Sequence, residues 1–403
     1  MTIPEPRSVS RFRQFLQINT MQPNPEYYKC VKFLVNQAKE IGLESNIIEC
    51  VEGKPLVLMK LEGSDPKEQS ILLSCHTDVV PVFEDKWTHS PFAADRVETG
   101  NGDFKIFARG AQDMKNQGSM YLEAMRNIKA LGKKLKRNVF IAFAPDEEIG
   151  GTDGAAKFVE TCEFAEMNVG FDLDESAGIP GDTSIVLYAE RTNAQVKFTA
   201  NGNTGHGSQF IEGTAIEKLL PIINHMMNIR AQNKAKYDSV DPAMRLLKSG
   251  ETTSINLTEL NGGKQPNVVP ASYSVTFDIR VSPNENIAEF RQSLADLAHS
   301  NGAEIEFHRP GESSSLTKLD LSNPFISAFF QSLDSQQIKY NNIVCPANTD
   351  ARYVRTKGVP ALGFNPMLNT PPLAHGHDEF VFESEFLKGI DVYTTLIQDL
   401  ANC

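Results

Sequence analysis

The chain has 403 residues, more than one ordinary compact domain holds, so two domains are expected. Hydrophobic residues make up 40% and charged residues 22%, the composition of a soluble globular protein. A formal net charge of −12 argues against a general nucleic-acid role, which needs a basic face, and reads as ordinary surface acidity that favours solubility.

The first segments alternate helix and strand. Between Pro25 and Ile41, Val31, Leu34, Ala38 and Ile41 share one helical stripe, and Gly42 is a natural stop. Three runs are continuously apolar: Ile71 to Leu73, Val139 to Ala144, and the stretch around Val169 and Phe171. Such runs suit strands buried on both faces. A helix is expected between the first two, from about Lys115 to Ala130, with Tyr121, Ala124, Ile128 and Leu131 on its apolar side. After Glu190 the pattern changes, and Val196, Phe198 and Ala200 alternate as a half-buried strand does. A helix from about Thr214 to Arg230 follows. Strands Thr253 to Leu260 and Ser272 to Val281 then flank a turn at Asn261, Gly262 and Gly263. Pro283 and Asn284 open another helix, and Glu304 to His308 reads as a strand. This β-α-β-β-α-β order is a split unit able to fold as its own module. The first pattern then returns, with a strand from Val359 to Phe364 and a final amphipathic helix marked by Phe386, Ile390, Tyr393 and Ile397. The expected fold is α/β: a mixed, largely parallel sheet sandwiched by helices, formed by residues 1–189 and 311–403. An α+β domain is inserted at 190–310.

The opening residues show no apolar signal-peptide core, and no later run is long enough to cross a bilayer. Cys30, Cys50, Cys75, Cys162, Cys345 and Cys403 are scattered and form no close metal-type pair. Free thiols in a reducing compartment, and hence a cytoplasmic location, are expected.

The acids and histidines fall where strands end. Ile71 to Cys75 runs into His76, Thr77 and Asp78; Val139 to Ala144 runs into Pro145, Asp146, Glu147 and Glu148; the strand near Phe171 runs into Asp174 and Glu175. In open α/β sheets ligands bind beyond the carboxyl ends of the strands. Asp113 opens a helix after the turn Arg109 to Gln112, and His375 lies in Ala374 to Glu379, after the Val359 to Phe364 strand. Imidazole and carboxylate without thiolate suit zinc or another divalent metal at a catalytic site. Two metals about 3.5–4 Å apart need a bridging carboxylate, for which Asp113 is the candidate. Glu147 and Glu148 are adjacent, so one can ligate while the other takes a proton from water. Each residue alone has a plainer reading. His76 with Asp78 could be a structural pair, the two glutamates could match a helix dipole, Asp113 could be an N-cap, and His377 could replace His375. Together, at the strand ends of one sheet, they favour a metal site.

Several ordered motifs go further: Cys75–Val82, Ala108–Lys115, Pro145–Gly151, Leu173–Glu175, Gly205–Ser208, Thr349–Tyr353 and Gly358–Phe364. In these, over nearly its whole length, the chain resembles the dinuclear zinc amidohydrolases. That family includes aminoacylase, succinyl-diaminopimelate desuccinylase and related carboxypeptidases and dipeptidases, and the match is close to the aminoacylase branch. The resemblance implies a zinc-exopeptidase-like catalytic domain with an inserted lid and dimerisation domain. It implies two Zn2+ per subunit, one held by His76, Asp113 and Glu175 and the other by Asp113, Glu148 and His375. Asp78 would orient His76, Glu147 would be the general base and then the acid, and the Asp113–Met114 peptide bond would be cis. His206 would reach the partner subunit's site in a homodimer and stabilise the oxyanion. Arg352 would fork onto the substrate's α-carboxylate, with Arg280 as second candidate and Asn267 near the substrate. Asp174 and Glu175 are adjacent, and the match selects Glu175 as ligand. The implied reaction is hydrolysis of a small N-acyl-L-amino acid, with no nucleic-acid or membrane partner. The alternatives are a dipeptidase, carboxypeptidase or other deacylase using the same site, or a non-catalytic zinc-binding homologue.

Overall fold

The computed structural model describes residues 4–132, 134–242, 244–308 and 316–403. Two compact units result: the chain up to Tyr188 with Thr317–Asn342 and Thr349–Cys403, and Ala189–Leu316 with Ile343–Asn348. The boundary expected between residues 310 and 311 lies outside the described residues. Ile343–Asn348 joins the second unit because the Arg191 guanidinium donates to the Pro346 carbonyl, at 2.7 and 3.1 Å, and Gly250 sits directly against the Val344 backbone. No local sequence pattern announces that tie.

The first unit is built on an eight-stranded mixed sheet. Its order is Glu44–Ile48, Leu56–Leu61, Val139–Ala144, Ser70–His76, Val169–Asp174, Ala361–Phe364, Thr183–Glu190 and Lys339–Cys345. Val139–Ala144, Ser70–His76, Val169–Asp174 and Ala361–Phe364 run parallel at the centre, and antiparallel pairings flank them. The central strands are apolar along their length because both faces are covered. Ile71, Leu73, Ile141, Phe143, Phe171 and Leu173 pack in one cluster with the helices Arg7–Leu16, Tyr27–Ile41, Lys115–Ala130, Pro324–Ser335 and Glu383–Asn402. Leu72, Phe140 and Ala142 pack in another with Phe158, Phe164 and Val354. A small sheet of Asp95–Glu98, Phe104–Phe107 and Phe380–Phe382, absent from the sequence expectations, ties the segment before the Lys115–Ala130 helix to the loop that holds His375.

The second unit pairs Ser254–Gly262, Ser272–Val281, Val196–Asn201 and Glu304–Phe307 in one sheet, with the helices Ala215–Asp238 and Ile287–Ser300. Val196, Phe198, Phe277, Ile279, Leu219 and Leu294 form its own core. The first helix runs on to Asp238, past the expected end at Arg230. Residues 231–238 include two alanines and two lysines, which favour helix, and Lys234 pairs with Asp238 one turn on. The Gly262–Gly263 region is not a tight hairpin. Val268–Val269 turns aside to pair with Gly205–His206, so the His206 loop and Asn267 sit side by side.

Glycine is required where the Ala361–Phe364 strand passes Glu175. A Cβ on Gly363 would lie 2.1 Å from the Glu175 carbonyl oxygen. Gly363→Ala is expected to lower the unfolding free energy by about 1–3 kcal/mol in urea denaturation; an unchanged transition would show that this close approach is not a constraint.

Candidate metal centre

Neighbouring parallel strands deliver the side chains to one edge. His76 ends Ser70–His76, Glu147 and Glu148 open the single turn Glu147–Ile149 after Val139–Ala144, and Glu175 follows Val169–Asp174. Asp113 precedes the Lys115–Ala130 helix, and its peptide bond to Met114 is cis. It is not the N-cap: Met114 occupies that position, without a side-chain cap.

Asp113 lies between the two histidines. Its Oδ1 is 3.0 Å from His76 Nε2, and its Oδ2 is 3.1 Å from His375 Nε2. Glu175 Oε2 stands 3.5 Å from His76 Nε2, and Glu148 Oε2 stands 3.1 Å from His375 Nε2. One ligand atom each from His76, Asp113 and Glu148 lies within 4.8 Å of the others, and so does one each from His76, Glu147 and Glu175. Between the adjacent acids, Glu175 faces this cluster while Asp174 accepts the Ala351 N–H at 2.8 Å. His375, not His377, meets the acids; His377 turns its ring toward the edge of Phe83.

Asp78 departs from expectation. His76 Nδ1 donates to the Asp78 main-chain carbonyl at 2.9 Å, while the Asp78 carboxylate is 3.7 Å away. That backbone bond leaves the Nε2 lone pair of a neutral His76 for a metal. The Asp78 carboxylate instead accepts the backbone N–H groups of Glu147 at 3.1 Å and Glu148 at 3.2 Å, and the Gln22 amide at 2.8 Å. It is fully buried and holds the turn that carries both glutamates. Sequence reasoning missed its counterpart. Buried Glu379 accepts from Arg109 at 2.6 Å and from the backbone N–H groups of Gly110, Gln112 and Asp113 at 3.2, 2.6 and 3.4 Å. The only hint in the sequence was an acid directly before the apolar run Phe380–Phe382.

Arg352 is corrected. Its side chain is 2% exposed and donates to the carbonyls of Thr349 at 2.6 Å and Gly150 at 2.7 Å. It braces the end of the Glu147 turn, which removes it as a receptor for a substrate carboxylate. His206, Asn267 and Arg280 belong to the second unit. His206 is exposed, and its Nδ1 accepts the Ser208 N–H at 3.3 Å, placing its proton on Nε2. Asn267 accepts the Gly207 N–H on its carbonyl at 2.9 Å. Arg280 forks onto Asp278 at 3.0 and 3.2 Å and donates to Asn348 at 3.2 Å.

The residues fit a divalent cation. Asp113, Glu147, Glu148 and Glu175 converge with only two imidazoles to offset them, and Glu148 Oε1 is buried with no hydrogen-bond partner among the described residues. Burial opposes a charge on His76, yet hydrogen bonds to Asp113 and Glu175 hold its pKa well above the ordinary value. Hydrogen bonds to Asp113 and Glu148 raise His375 to about 10. A bound metal would displace these protons, because only neutral imidazole ligates. Burial, and then the charge of Glu175, push the Glu147 carboxyl well above its usual range; burial raises Glu175 itself to about 8.

A parallel-centred α/β sheet with an imidazole–carboxylate cluster beyond its strand ends is the arrangement of a metal-dependent hydrolase. The chain belongs to Peptidase family M20/M25/M40, whose sequence profile matches residues 72–399. It is 42% identical over 397 residues to Aminoacylase-1 of Sus scrofa, covering 98% of this chain and 95% of that protein. Its fold is similar to an M20 family metallo-carboxypeptidase of Sulfolobus solfataricus, with TM-score 0.75, 17% identity, and 98% and 99% of the two chains covered. It is also similar to a dinuclear metal-binding peptidase of the M20 family from Bacillus subtilis, with TM-score 0.66, 16% identity and 97% of each chain covered.

Asp78→Ala leaves two backbone N–H groups without their acceptor, at a cost of about 1–3 kcal/mol for each that stays buried. Lower stability in denaturant and weaker retention of metal against a chelator are both expected. Unchanged metal retention would contradict the role given to the Asp78 carboxylate.

Proposed function

We propose that this protein hydrolyses N-acyl-L-amino acids to a carboxylate and a free L-amino acid, using zinc, two ions per subunit, as a cytoplasmic homodimer. The observation that carries the substrate class is the near-full-length likeness to an aminoacylase. The side chains support the chemistry. His76, Asp113 and Glu175 would hold one ion and Asp113, Glu148 and His375 the other, since Asp113 offers one oxygen toward each histidine. The donor set of imidazole and carboxylate suits zinc.

When bound, such ions lower the pKa of a water toward about 7 and polarise the amide carbonyl. Glu147 stands beside His76 and Glu175 and is free of a ligand role in this partition. It takes one proton from the attacking water as the water oxygen bonds to the acyl carbon. It then delivers that proton to the amide nitrogen as the C–N bond breaks, which releases the amine. Burial keeps bulk water away from this carboxyl, and the charge of bound ions beside it would favour the carboxylate form that takes the proton.

The remaining elements rest on the resemblance. His206, whose Nε2 carries a proton, would donate to the oxyanion across the dimer, with Asn267 next to it. Arg280 is the remaining candidate for the substrate carboxylate, and it would have to share its fork with Asp278. All six cysteines are free, which fits a reducing compartment. Among the described residues no helix is long and apolar enough to cross a membrane.

Release of methionine from N-acetyl-L-methionine by the purified protein tests the reading. Turnover is expected to vanish with a chelator and return with zinc, and Glu147→Ala is expected to lose on the order of 10²–10⁴-fold in kcat while keeping its metal. Hydrolysis of dipeptides without any release from acyl amino acids would overturn the substrate assignment. Full turnover by Glu147→Ala would overturn the role of Glu147.

A further inference from the structure

We infer that the second unit carries a binding site for a small oxyanion, in the cavity between the Ala215–Asp238 helix and the Ser254–Gly262 strand. The cavity has a volume of about 300 Å³, and Arg191, Arg230, Lys234, Asn233, Tyr237 and Asn256 are among the residues that line it. No carboxylate lines it, in a chain whose formal net charge is −12.

Two of its three cations, Arg191 and Arg230, form no direct ion pair among the described residues. Arg191 spends its guanidinium on neutral acceptors: the Pro346 carbonyl at 2.7 and 3.1 Å, the Thr252 carbonyl at 3.3 Å and the Ser254 hydroxyl at 3.1 Å. Its burial, and then the nearby charge of Arg280, depress its pKa from the ordinary value. Arg230 makes one long hydrogen bond, 3.5 Å to Asn256 Oδ1. Neither arginine has an ion pair among the described residues. A half-buried guanidinium without a counter-ion carries a desolvation cost that an anion would offset. The third cation, Lys234, pairs with Asp238 one turn along its own helix, at the helix surface. The nearby acids are engaged elsewhere: Asp278, whose charge partly offsets that of Arg191, by the Arg280 fork at 3.0 and 3.2 Å, Glu251 by Lys248 at 2.6 Å and Glu285 by the Thr253 hydroxyl at 2.5 Å.

Asn233 supplies an independent observation. It is 7% exposed and lines the cavity, yet its side-chain amide has no hydrogen-bond partner among the described residues. Its amide atoms are not sealed from solvent and so stay open to a ligand, and the residue lies on the same wall as Arg230 and Lys234, one turn and less apart on the helix. The Arg230 guanidinium, the one N–H of Arg191 not already given to a protein acceptor, and the Asn233 amide on one cavity suit the oxygens of a phosphate or a carboxylate. The volume leaves room for a small body beyond the charged group.

Binding is tested on the metal-loaded full-length protein at constant ionic strength, by calorimetry and by the shift in melting temperature. Inorganic phosphate and succinate serve as separate probes. Saturable binding of phosphate alone assigns a phosphoryl ligand, and of succinate alone a carboxylate ligand; either supports the site. Arg230→Gln and Asn233→Ala, each checked for folding by circular dichroism, are expected to weaken that binding by about tenfold or more. Both variants keep the metal cluster, so binding that persists unchanged in both belongs elsewhere and overturns the inference. Absence of saturable binding by either probe also overturns it.

Discussion

A backbone N–H in a turn beyond a strand end has no ladder partner, and burial makes that costly. In this protein the turns that bear the metal-facing acids find their acceptors in two buried carboxylates. Asp78 takes the amides of Glu147 and Glu148, and Glu379 takes those of Gly110, Gln112 and Asp113. Each carboxylate also has a cationic or amide donor from farther along the chain, Arg109 for Glu379 and Gln22 for Asp78. The ligand turns are therefore fixed by lone pairs in place of helix or sheet. Four further acids can then be crowded together without the turns giving way to their repulsion.

The sheet sets the scale of this arrangement. Neighbouring parallel strands are about 4.8 Å apart, so side chains leaving three of them at one edge are already near ligand distance. The small sheet of Asp95–Glu98, Phe104–Phe107 and Phe380–Phe382 does the rest. It carries Glu379 to the Asp113 turn, and with it the loop that brings His375 to Asp113 and Glu148. Asp113 ends with one oxygen toward each imidazole, the geometry that a bridging ligand needs.

Much of this was legible in the sequence, because an apolar run that stops at His76, or just before Asp146, Glu147 and Glu148, marks both a buried strand and its functional end. The α/β class and the family followed from such runs and motifs. What stayed hidden depended on orientation. The sequence places Asp78 two residues after His76, but it cannot tell that the main-chain carbonyl meets the imidazole while the carboxylate turns to the next strand's loop. Arg352 looked like a substrate receptor, and only its burial against the Thr349 and Gly150 carbonyls reveals a brace. Glu379 pairs with groups some 270 positions away, a separation that no local pattern encodes. The arginines at residues 191 and 230 were equally invisible, since what matters is that the acids around them in space pair with other groups.

The central claim is that Asp113 joins two metal ions in one centre. Anomalous diffraction from crystals of the zinc-loaded protein tests it directly. Two peaks about 3.5–4 Å apart are expected on either side of the Asp113 carboxylate, one against His76 and Glu175 and the other against Glu148 and His375. A single peak at full zinc loading, or a second peak not bound by Asp113, would contradict it.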